Sequence, residues 1–380
     1  MSSSPSAISL IERAIAARAF PAAVVETGGR AGVRWRQAFG ALTYAPDSPA
    51  TTTETIFDLA SLTKVIATAT QAMRAVDAGA LALDRRVAEH VPAWRGIDRE
   101  AVTIADLLEH ASGLTAYLPF FRDHHGRAEF ERGICTLPLE YAPRTQSIYS
   151  DLGFILLGFI LEDVGFPLDE FNAGEFRLKA EATSAICSFR LEAEFPDRLQ
   201  AEFRDRLQAE FPDRLQAEWR ARCAPTELDL WRGRLLQGEV HDENCWALGG
   251  VAGHTGLFGT AAGVGAFARE ILRGLAGERS GLRVTSDTLA RFVKKSTVPG
   301  SSRALAWDTM LPTSSCGTRL SPRAIGHTGF TGTSLWIDPE LDLYVVFLTN
   351  RVHPTRDNNA IQPVRRALHD ALASRAPTAN

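Results

Sequence analysis

The chain has 380 residues, of which 45% are hydrophobic and 23% charged, and its formal net charge is −4. This length can bury a large core, as two domains or one composite unit, and the composition is that of an ordinary soluble globular protein. A slightly acidic chain of this kind lacks the basic surface that nucleic-acid binding requires. The longest apolar run, residues 152–161, is too short to span a bilayer, so no membrane span is expected.

Targeting and redox signals point to the cytoplasm. Residues 1–20 include Glu12 and Arg13 and no continuous apolar stretch, so no secretory signal is recognised. The five cysteines are odd in number and widely scattered, which favours reduced thiols over a disulfide framework.

Apolar periodicity predicts strands near both ends of the chain and helices between them. The predicted elements are a helix at 8–17, strands at 21–27 and 33–39 around a Gly28-Gly29 turn, helices at 61–78, 103–113 and 154–164, a hairpin of 333–337 and 343–349, and a helix at 359–374. Strands from both termini indicate an α/β (α+β) fold, with one sheet built from the two ends of the chain. We predict a sheet domain of residues 1–80 and 240–380, and an inserted all-helical domain of residues 81–239.

Residues 194–219 form an octapeptide repeat, EFPDRLQA-EFRDRLQA-EFPDRLQA-EW. Its apolar residues recur every fourth position, which overshoots the helical period, and Pro196 and Pro212 would interrupt helix interiors. We interpret the repeat as a duplication that extends a surface segment. The alternative is an element that binds a partner or gates the substrate.

Ser61 and Lys64 are the first residues that indicate chemistry. They are three residues apart at the start of a predicted helix, so they lie on one face of it. The chain contains 41 lysines and arginines, yet Lys64 is the only lysine preceded by a serine at this spacing. An amine with a lowered pKa can take the proton of a serine hydroxyl and make the oxygen nucleophilic, which arginine cannot do.

Three motifs together resemble those of the serine β-lactamase and penicillin-binding-protein superfamily: Ser61-Leu62-Thr63-Lys64, Tyr149-Ser150-Asp151 and His327-Thr328-Gly329. The nearest branch is the class C-like one, which also includes D,D-peptidases, D-aminopeptidases and family VIII carboxylesterases. The resemblance implies the β-lactamase-like fold, an antiparallel sheet flanked by helices. It covers residues 20–180 and 223–370 and leaves the repeat outside.

The resemblance also implies a role for each matched residue. Ser61 is the expected nucleophile, Lys64 and Tyr149 share the role of the base, and the backbone N–H groups of Ser61 and Phe330 form the oxyanion hole. The residues expected to bind substrate are Asp151, His327, Thr328 and Gly329.

Two positions depart from the family pattern. Relatives usually have asparagine at Asp151, and a carboxylate beside Lys64 would stabilise the ammonium form, which shifts the base role towards Tyr149. Many relatives have lysine at His327, which is expected to help orient the substrate. Both departures lower the expectation of efficient β-lactam hydrolysis.

Residues 238–260 are similar to a sub-branch that includes N-acetylmuramyl-L-alanine amidases of cell-wall recycling. This segment contains His241-Asp242-Glu243, but the zinc signature H-E-x-x-H is absent, so neither a metal nor another cofactor is expected. Its second histidine, His254, is interpreted as a loop residue that packs beneath the site. His110, at the end of a predicted helix, is interpreted as a capping residue.

The sequence therefore predicts a β-lactamase-related serine hydrolase that cleaves an amide or ester bond through an acyl-serine intermediate. The expected substrate is a small molecule or short peptide derived from the cell wall. One alternative is a promiscuous family VIII-type carboxylesterase with weak β-lactamase activity. Another is a catalytically silent binding protein on the same fold, which the intact Ser61, Lys64 and Tyr149 argue against.

Overall fold

An antiparallel sheet with strands from both termini forms the centre of the molecule, in a computed structural model that describes residues 5–168, 186–188 and 213–373. In spatial order its strands are β2 (Gly32–Gly40), β1 (Ala22–Gly29), β11 (Leu343–Thr349), β10 (Ser334–Asp338), β9 (Ile325–Thr328) and β8 (Asp308–Thr309). The predicted fold class, a sheet built from the two ends of the chain and flanked by helices, is confirmed.

Two smaller sheets accompany the central one in the described ranges. Their strands are β3 (Phe57–Asp58), β7 (Leu257–Gly259) and β4 (Ile186–Ser188) in the first, and β5 (Leu228–Asp229) and β6 (Arg234–Leu235) in the second. The middle of the chain is therefore not composed of helices alone. The predicted boundaries between a sheet domain and an inserted domain remain a prediction.

Helices cover both faces of the central sheet. In the described ranges they are α1 (Pro5–Ala16), α2 (Ala69–Asp77), α3 (Val87–His90), α4 (Ile104–Leu108), α5 (Gly126–Thr136), α6 (Asp151–Asp163), α7 (Asp213–Arg222), α8 (Glu243–Ala247), α9 (Ala261–Leu275), α10 (Ser286–Phe292) and α11 (Ile361–Ala373). Short π-helical and 3₁₀ segments occur at Lys64–Thr68 and Phe120–Arg122. Every helix in the described part of the chain is too short or too polar to cross a bilayer.

The alternation of side chains along β1 explains this layered packing. Ala23 and Val25 contribute to a core shared with α1 and α11, whereas Val24 points to the opposite face, towards α9. Successive side chains of a strand face opposite sides of a sheet, so a strand covered on both sides is buried along its whole length. All eight residues of β1 are buried accordingly.

Most predicted elements are present, with instructive differences at turns. The chain reverses after β1 at residues 30–31 and not at Gly28-Gly29. Those glycines are paired within the strand, and glycine is needed at residue 28 because a Cβ there would lie 2.4 Å from the Gly32 carbonyl oxygen. The helix predicted at 103–113 ends at Leu108.

The octapeptide repeat falls mainly outside the described residues. Its last residues belong to α7, and residues 194–212 are not described. The interpretation of the repeat therefore remains a prediction.

Candidate active site

Ser61 lies in a tight turn between β3 and the π-helical segment Lys64–Thr68. The preceding residue, Ala60, has φ 46°, a left-handed conformation that residues with a Cβ rarely adopt. Two hydrogen bonds hold this turn: the Ala60 N–H donates to Asp58 Oδ1 at 2.8 Å, and Thr63 Oγ1 donates to the Ala60 carbonyl at 2.7 Å. The strained turn thus places the Ser61 hydroxyl at a fixed point on the cavity wall.

The Lys64 side chain is fully buried beneath Ser61. Its Nζ donates to Ser61 Oγ at 3.2 Å, to Asp151 Oδ1 at 2.6 Å and to the His254 carbonyl oxygen at 2.9 Å. Three acceptors match the three protons of an ammonium group. The resting geometry is therefore that of a protonated lysine.

The electrostatics agree with that geometry. Burial lowers the pKa of Lys64, but the nearby Asp151 carboxylate and the Tyr149 phenol outweigh burial, so the net shift of its pKa is upward. This agrees with the expectation that Asp151 stabilises the ammonium form. For Tyr149, burial raises the pKa above its ordinary value and the Lys64 ammonium opposes that rise.

Tyr149 lies immediately before α6, and its hydroxyl donates to Ser61 Oγ at 2.8 Å. Its ring packs against His110, with ring centroids 4.7 Å apart. The neighbouring Ser150 N–H donates to His110 Nδ1 at 3.0 Å, and burial, with Arg303 nearby, lowers the pKa of His110 well below its usual value. His110 thus supports the Tyr149 segment as a neutral imidazole, which is a structural role other than helix capping.

The third motif lies at the end of β9, which contains His327 and Thr328. His327 is buried, and its Nδ1–H donates to the Thr328 carbonyl oxygen at 2.8 Å. Burial, Arg303 and Lys64 lower the pKa of His327 well below its usual value, so the imidazole is neutral. Its Nε2 has no hydrogen-bond partner among the described residues. At this position the site therefore carries a neutral hydrogen-bond acceptor, where many relatives have a cation.

Gly329 allows this strand to approach the serine turn. A Cβ at this position would lie 2.1 Å from Thr333 Oγ1 and 2.6 Å from the Leu59 carbonyl oxygen, closer than atoms can pack. Beyond it, neither the Phe330 N–H nor the Ser61 N–H donates to another described residue. Two backbone donors, on residues that line the same cavity, therefore remain available.

A cavity of about 650 Å³ contains the predicted site. Ser61, Tyr149 and Asp151 line it, together with the segment 327–330, and Lys64 lies directly beneath. The structure thus brings all the predicted site residues together.

Four arginines that line this cavity were not predicted from the sequence: Arg303, Arg351, Arg356 and Arg365. Arg303 lies over the Tyr149 ring, with Cζ 5.1 Å from its centroid, and its Nη1 lies 2.9 Å from Asp308 Oδ1. None of them belongs to a recognisable motif: Arg351 and Arg356 lie in the loop between β11 and α11, Arg365 lies on α11, and Arg303 lies in the segment before β8. Their distribution along the sequence carried no signal that could have grouped them.

The segment 238–260 supports the site from below. His254 Nε2–H donates to Asp242 Oδ1 at 2.9 Å, and its backbone carbonyl holds Lys64, as expected for a histidine packed beneath the site. His241 turns instead to Glu227, with Nε2 2.9 Å from Oε2. These side chains do not converge, and within the described ranges no three histidine, cysteine or acidic residues group as metal ligands.

A serine hydroxyl in contact with a lysine amine and a tyrosine phenol, on this fold, defines the class of the protein. Residues 7–369 match the family model described as Beta-lactamase. The chain therefore belongs to the beta-lactamase family, and the predicted superfamily is confirmed.

The similarity extends to proteins with different names. The chain is 29% identical over 322 residues to a protein of Escherichia coli (strain K12) named "Putative D-alanyl-D-alanine carboxypeptidase", covering 80% of this chain and 70% of that protein. Among solved structures, a class C beta lactamase from Rhodobacter sphaeroides aligns with a TM-score of 0.66 and 20% identity, covering 97% of this chain and 98% of that one. EstCE1, a hydrolase with promiscuous acyltransferase activity, aligns with a TM-score of 0.68 and 19% identity over the same shares. Family membership supports a hydrolase.

Proposed function

We propose that this protein is a serine hydrolase that cleaves a small amide or ester substrate through an acyl-Ser61 intermediate. The observation that carries the proposal is the contact of Ser61 Oγ with both Tyr149 OH, at 2.8 Å, and Lys64 Nζ, at 3.2 Å, on the wall of a cavity. A hydroxyl flanked by two groups that can exchange protons is the arrangement that nucleophilic catalysis needs.

The resting arrangement must lose one proton before Ser61 can attack. Both Tyr149 and Lys64 donate to Ser61 Oγ, so neither is positioned to accept its proton. We assign the loss to Tyr149, because Asp151 holds the proton on Lys64 and the resulting ammonium stabilises a phenolate. Tyr149 would then take the Ser61 proton and pass it to the leaving group, and in the second half-reaction it would activate water.

The tetrahedral intermediate places a negative charge on the former carbonyl oxygen. The N–H groups of Ser61 and Phe330 are the donors we assign to it, and losing one such donor costs about 3–4 kcal/mol at the transition state. The charged Lys64 beside the nucleophile is fully buried, so water screens its favourable field only weakly.

The charges of the cavity favour a substrate with a carboxylate. Arg365 is buried on α11, lines the cavity and has no carboxylate partner among the described residues; its Nε is also without a hydrogen-bond partner there. Burial, with Arg351 nearby, lowers the pKa of Arg365 to about 10, so it stays charged at neutral pH. Together with the name of the Escherichia coli relative, this supports a peptide with a free carboxylate, derived from the cell wall.

A carboxylesterase activity is the second candidate. Asp151 puts a carboxylate where an asparagine amide would donate to an acylamido side chain, so the site lacks one donor that favours acylamino substrates. The structural likeness to EstCE1 is compatible with simple esters as substrates.

Hydrolysis of a short-chain p-nitrophenyl ester by the wild type and by Ser61→Ala tests the proposal, with Ser147→Ala as the matched control. We expect the Ser61 variant to lose activity and the control to keep it. Equal rates for the wild type and Ser61→Ala would contradict the proposal. Mass spectrometry after fluorophosphonate treatment should locate the adduct on the peptide that contains Ser61, and a panel of D-alanyl-D-alanine peptides, muropeptides and nitrocefin would then rank the substrates.

A further inference from the structure

Phe330 presents one of the two proposed oxyanion donors, yet this residue is 49% exposed at the cavity. It lies in a turn that follows β9, outside any helix or strand. An oxyanion hole works only when its donors are fixed at 2.7–3.1 Å from the position of the developing charge. Something other than secondary structure must therefore hold this residue in place.

Arg351 contacts Phe330 in two ways. Its Nε donates to the Phe330 carbonyl oxygen at 2.8 Å, and its Cζ lies 4.5 Å from the centroid of the Phe330 ring. The other end of the guanidinium is also fixed, since Nη1 donates to the carbonyl oxygens of Arg356 and Asn358, each at 2.8 Å. Within the described part of the chain Arg351 forms no ion pair with a carboxylate. These three hydrogen bonds of its guanidinium all go to main-chain carbonyl oxygens.

His241 covers the ring of Phe330 as a stacked partner, with the centroids 5.6 Å apart and the planes at 30°. Its own position is fixed by Glu227, whose Oε2 lies 2.9 Å from His241 Nε2 and accepts from Arg356 Nε at 2.6 Å. The carboxylate of Glu227 thus ties the histidine to the same loop that anchors Arg351.

Asp58 connects this clamp to the serine turn. Its Oδ2 accepts from the His241 N–H at 2.8 Å, and its Oδ1 accepts from the Ala60 N–H at 2.8 Å, next to Ser61. The Asp58 carbonyl accepts from Thr331 Oγ1 at 2.7 Å, directly after Phe330. One buried aspartate therefore bonds to the neighbours of both proposed donors.

We propose that Arg351 and His241 are positioning residues that hold the Phe330 N–H in the oxyanion hole. The inference rests on the proposed acyl-serine function and gives a role to the segment 238–260, which contributes His241. Arg351 fixes the main chain of Phe330 through its carbonyl and, with His241, restrains the ring. Neither side chain needs to touch the reacting atoms.

The test compares Arg351→Met and Arg351→Lys with Arg323→Met, an exposed control. For p-nitrophenyl acetate we expect kcat to fall by about 10- to 100-fold in Arg351→Met, with KM within about threefold of the wild type. Affinity for phenylboronic acid, which forms a tetrahedral adduct on the serine, should fall by a similar factor. Arg351→Lys should lie between, because an ammonium keeps the charge but cannot hold three carbonyls in one plane.

Wild-type kcat in Arg351→Met overturns the inference, and so does a rise in KM at constant kcat, which would make Arg351 a substrate-binding residue. If thermal melting shows that Arg351→Met does not fold, the boronate affinity of Arg351→Lys is the test instead. An affinity of Arg351→Lys equal to that of the wild type then overturns the inference. Should the wild type form no fluorophosphonate adduct at Ser61, the proposed function itself fails and the inference with it. If the wild type does form the adduct at Ser61 but the Arg351 variants keep the wild-type kcat and boronate affinity, only the positioning role is refuted.

Discussion

Replacing Asp151 by asparagine removes the charge that keeps Lys64 protonated. The two side chains are 2.6 Å apart, and Lys64 is fully buried while the Asp151 side chain is 19% exposed. With an effective dielectric constant of about 20, Coulomb's law gives about 6 kcal/mol for this pair as an upper limit. Each pKa unit corresponds to about 1.4 kcal/mol, so the limit is about four units on Lys64.

The observable shift should be smaller than this limit. The asparagine oxygen keeps a hydrogen bond to Lys64, and water at the partly exposed position screens the lost charge. We therefore expect the pKa of Lys64 to fall in Asp151→Asn, but by less than this limit. The Asp151 charge also raises the pKa of Tyr149, so in the variant the Lys64–Tyr149 pair should lose the proton that Ser61 attack requires at lower pH.

The assay is the pH dependence of kcat/KM for a p-nitrophenyl ester, measured on the wild type and on Asp151→Asn. We expect the rate of the wild type to rise towards alkaline pH, and we expect this rising limb to move to lower pH in the variant. Asp163→Asn, an exposed carboxylate at the end of α6, serves as the control and should leave the limb in place. A limb that stays unchanged in Asp151→Asn, or that moves to higher pH, would refute the assignment of the proton to Lys64.

Three further predictions concern Tyr149, Gly253 and His369. Tyr149→Phe removes only the hydroxyl that contacts Ser61, so kcat/KM should fall by at least about 100-fold while the unfolding midpoint in urea barely changes. Gly253→Ala places a Cβ 1.9 Å from the Phe154 carbonyl oxygen and should cost more than about 2 kcal/mol of stability, measured by urea unfolding. Burial, with an arginine nearby, lowers the pKa of His369 to about 3. The unfolded chain therefore binds more protons below pH 6.5, stability falls as the pH decreases, and His369→Leu should remove about 1.4 kcal/mol per pH unit from that slope between pH 5.5 and 4.

Each of these predictions has an outcome that contradicts it. Activity of Tyr149→Phe within about tenfold of the wild type would exclude the phenol as the base. For the glycine, Gly281→Ala is the control, since its added Cβ would meet nothing closer than 3.5 Å, and equal stability of the two variants would show that the contact relaxes freely. For His369, a pH dependence of stability identical to that of the wild type would show that the imidazole is protonated in the native state.

Local patterns were enough to predict much of the architecture. The buried helix α6 follows from a continuous apolar run, although it begins at Asp151 and not at residue 154 as predicted, and the helices at both ends follow from apolar residues at helical spacing. Ser61 and Lys64 could be paired because three residues along a helix bring two side chains together. The Gly28-Gly29 turn was wrong because glycine also permits close approach of backbones, which local sequence cannot distinguish from a reversal.

Pairings between distant segments were accessible only through family resemblance or through the structure. The three motifs identified Tyr149 and His327 as neighbours of Ser61, but no pattern indicated that Arg351 would cover Phe330 or that Asp58 would bond to residues on both sides of the cavity. The protonation of Lys64 shows how the two sources of information combine. The sequence identifies the two residues as a lysine and an aspartate. The balance between burial and Coulomb attraction, however, depends on their separation of 2.6 Å, which arises only when α6 packs against the serine turn. Apolar periodicity and residue type are local properties, so they can be recognised from neighbouring positions in the sequence. The electrostatic energy of a charge depends instead on distances through space, which are determined only when the chain folds.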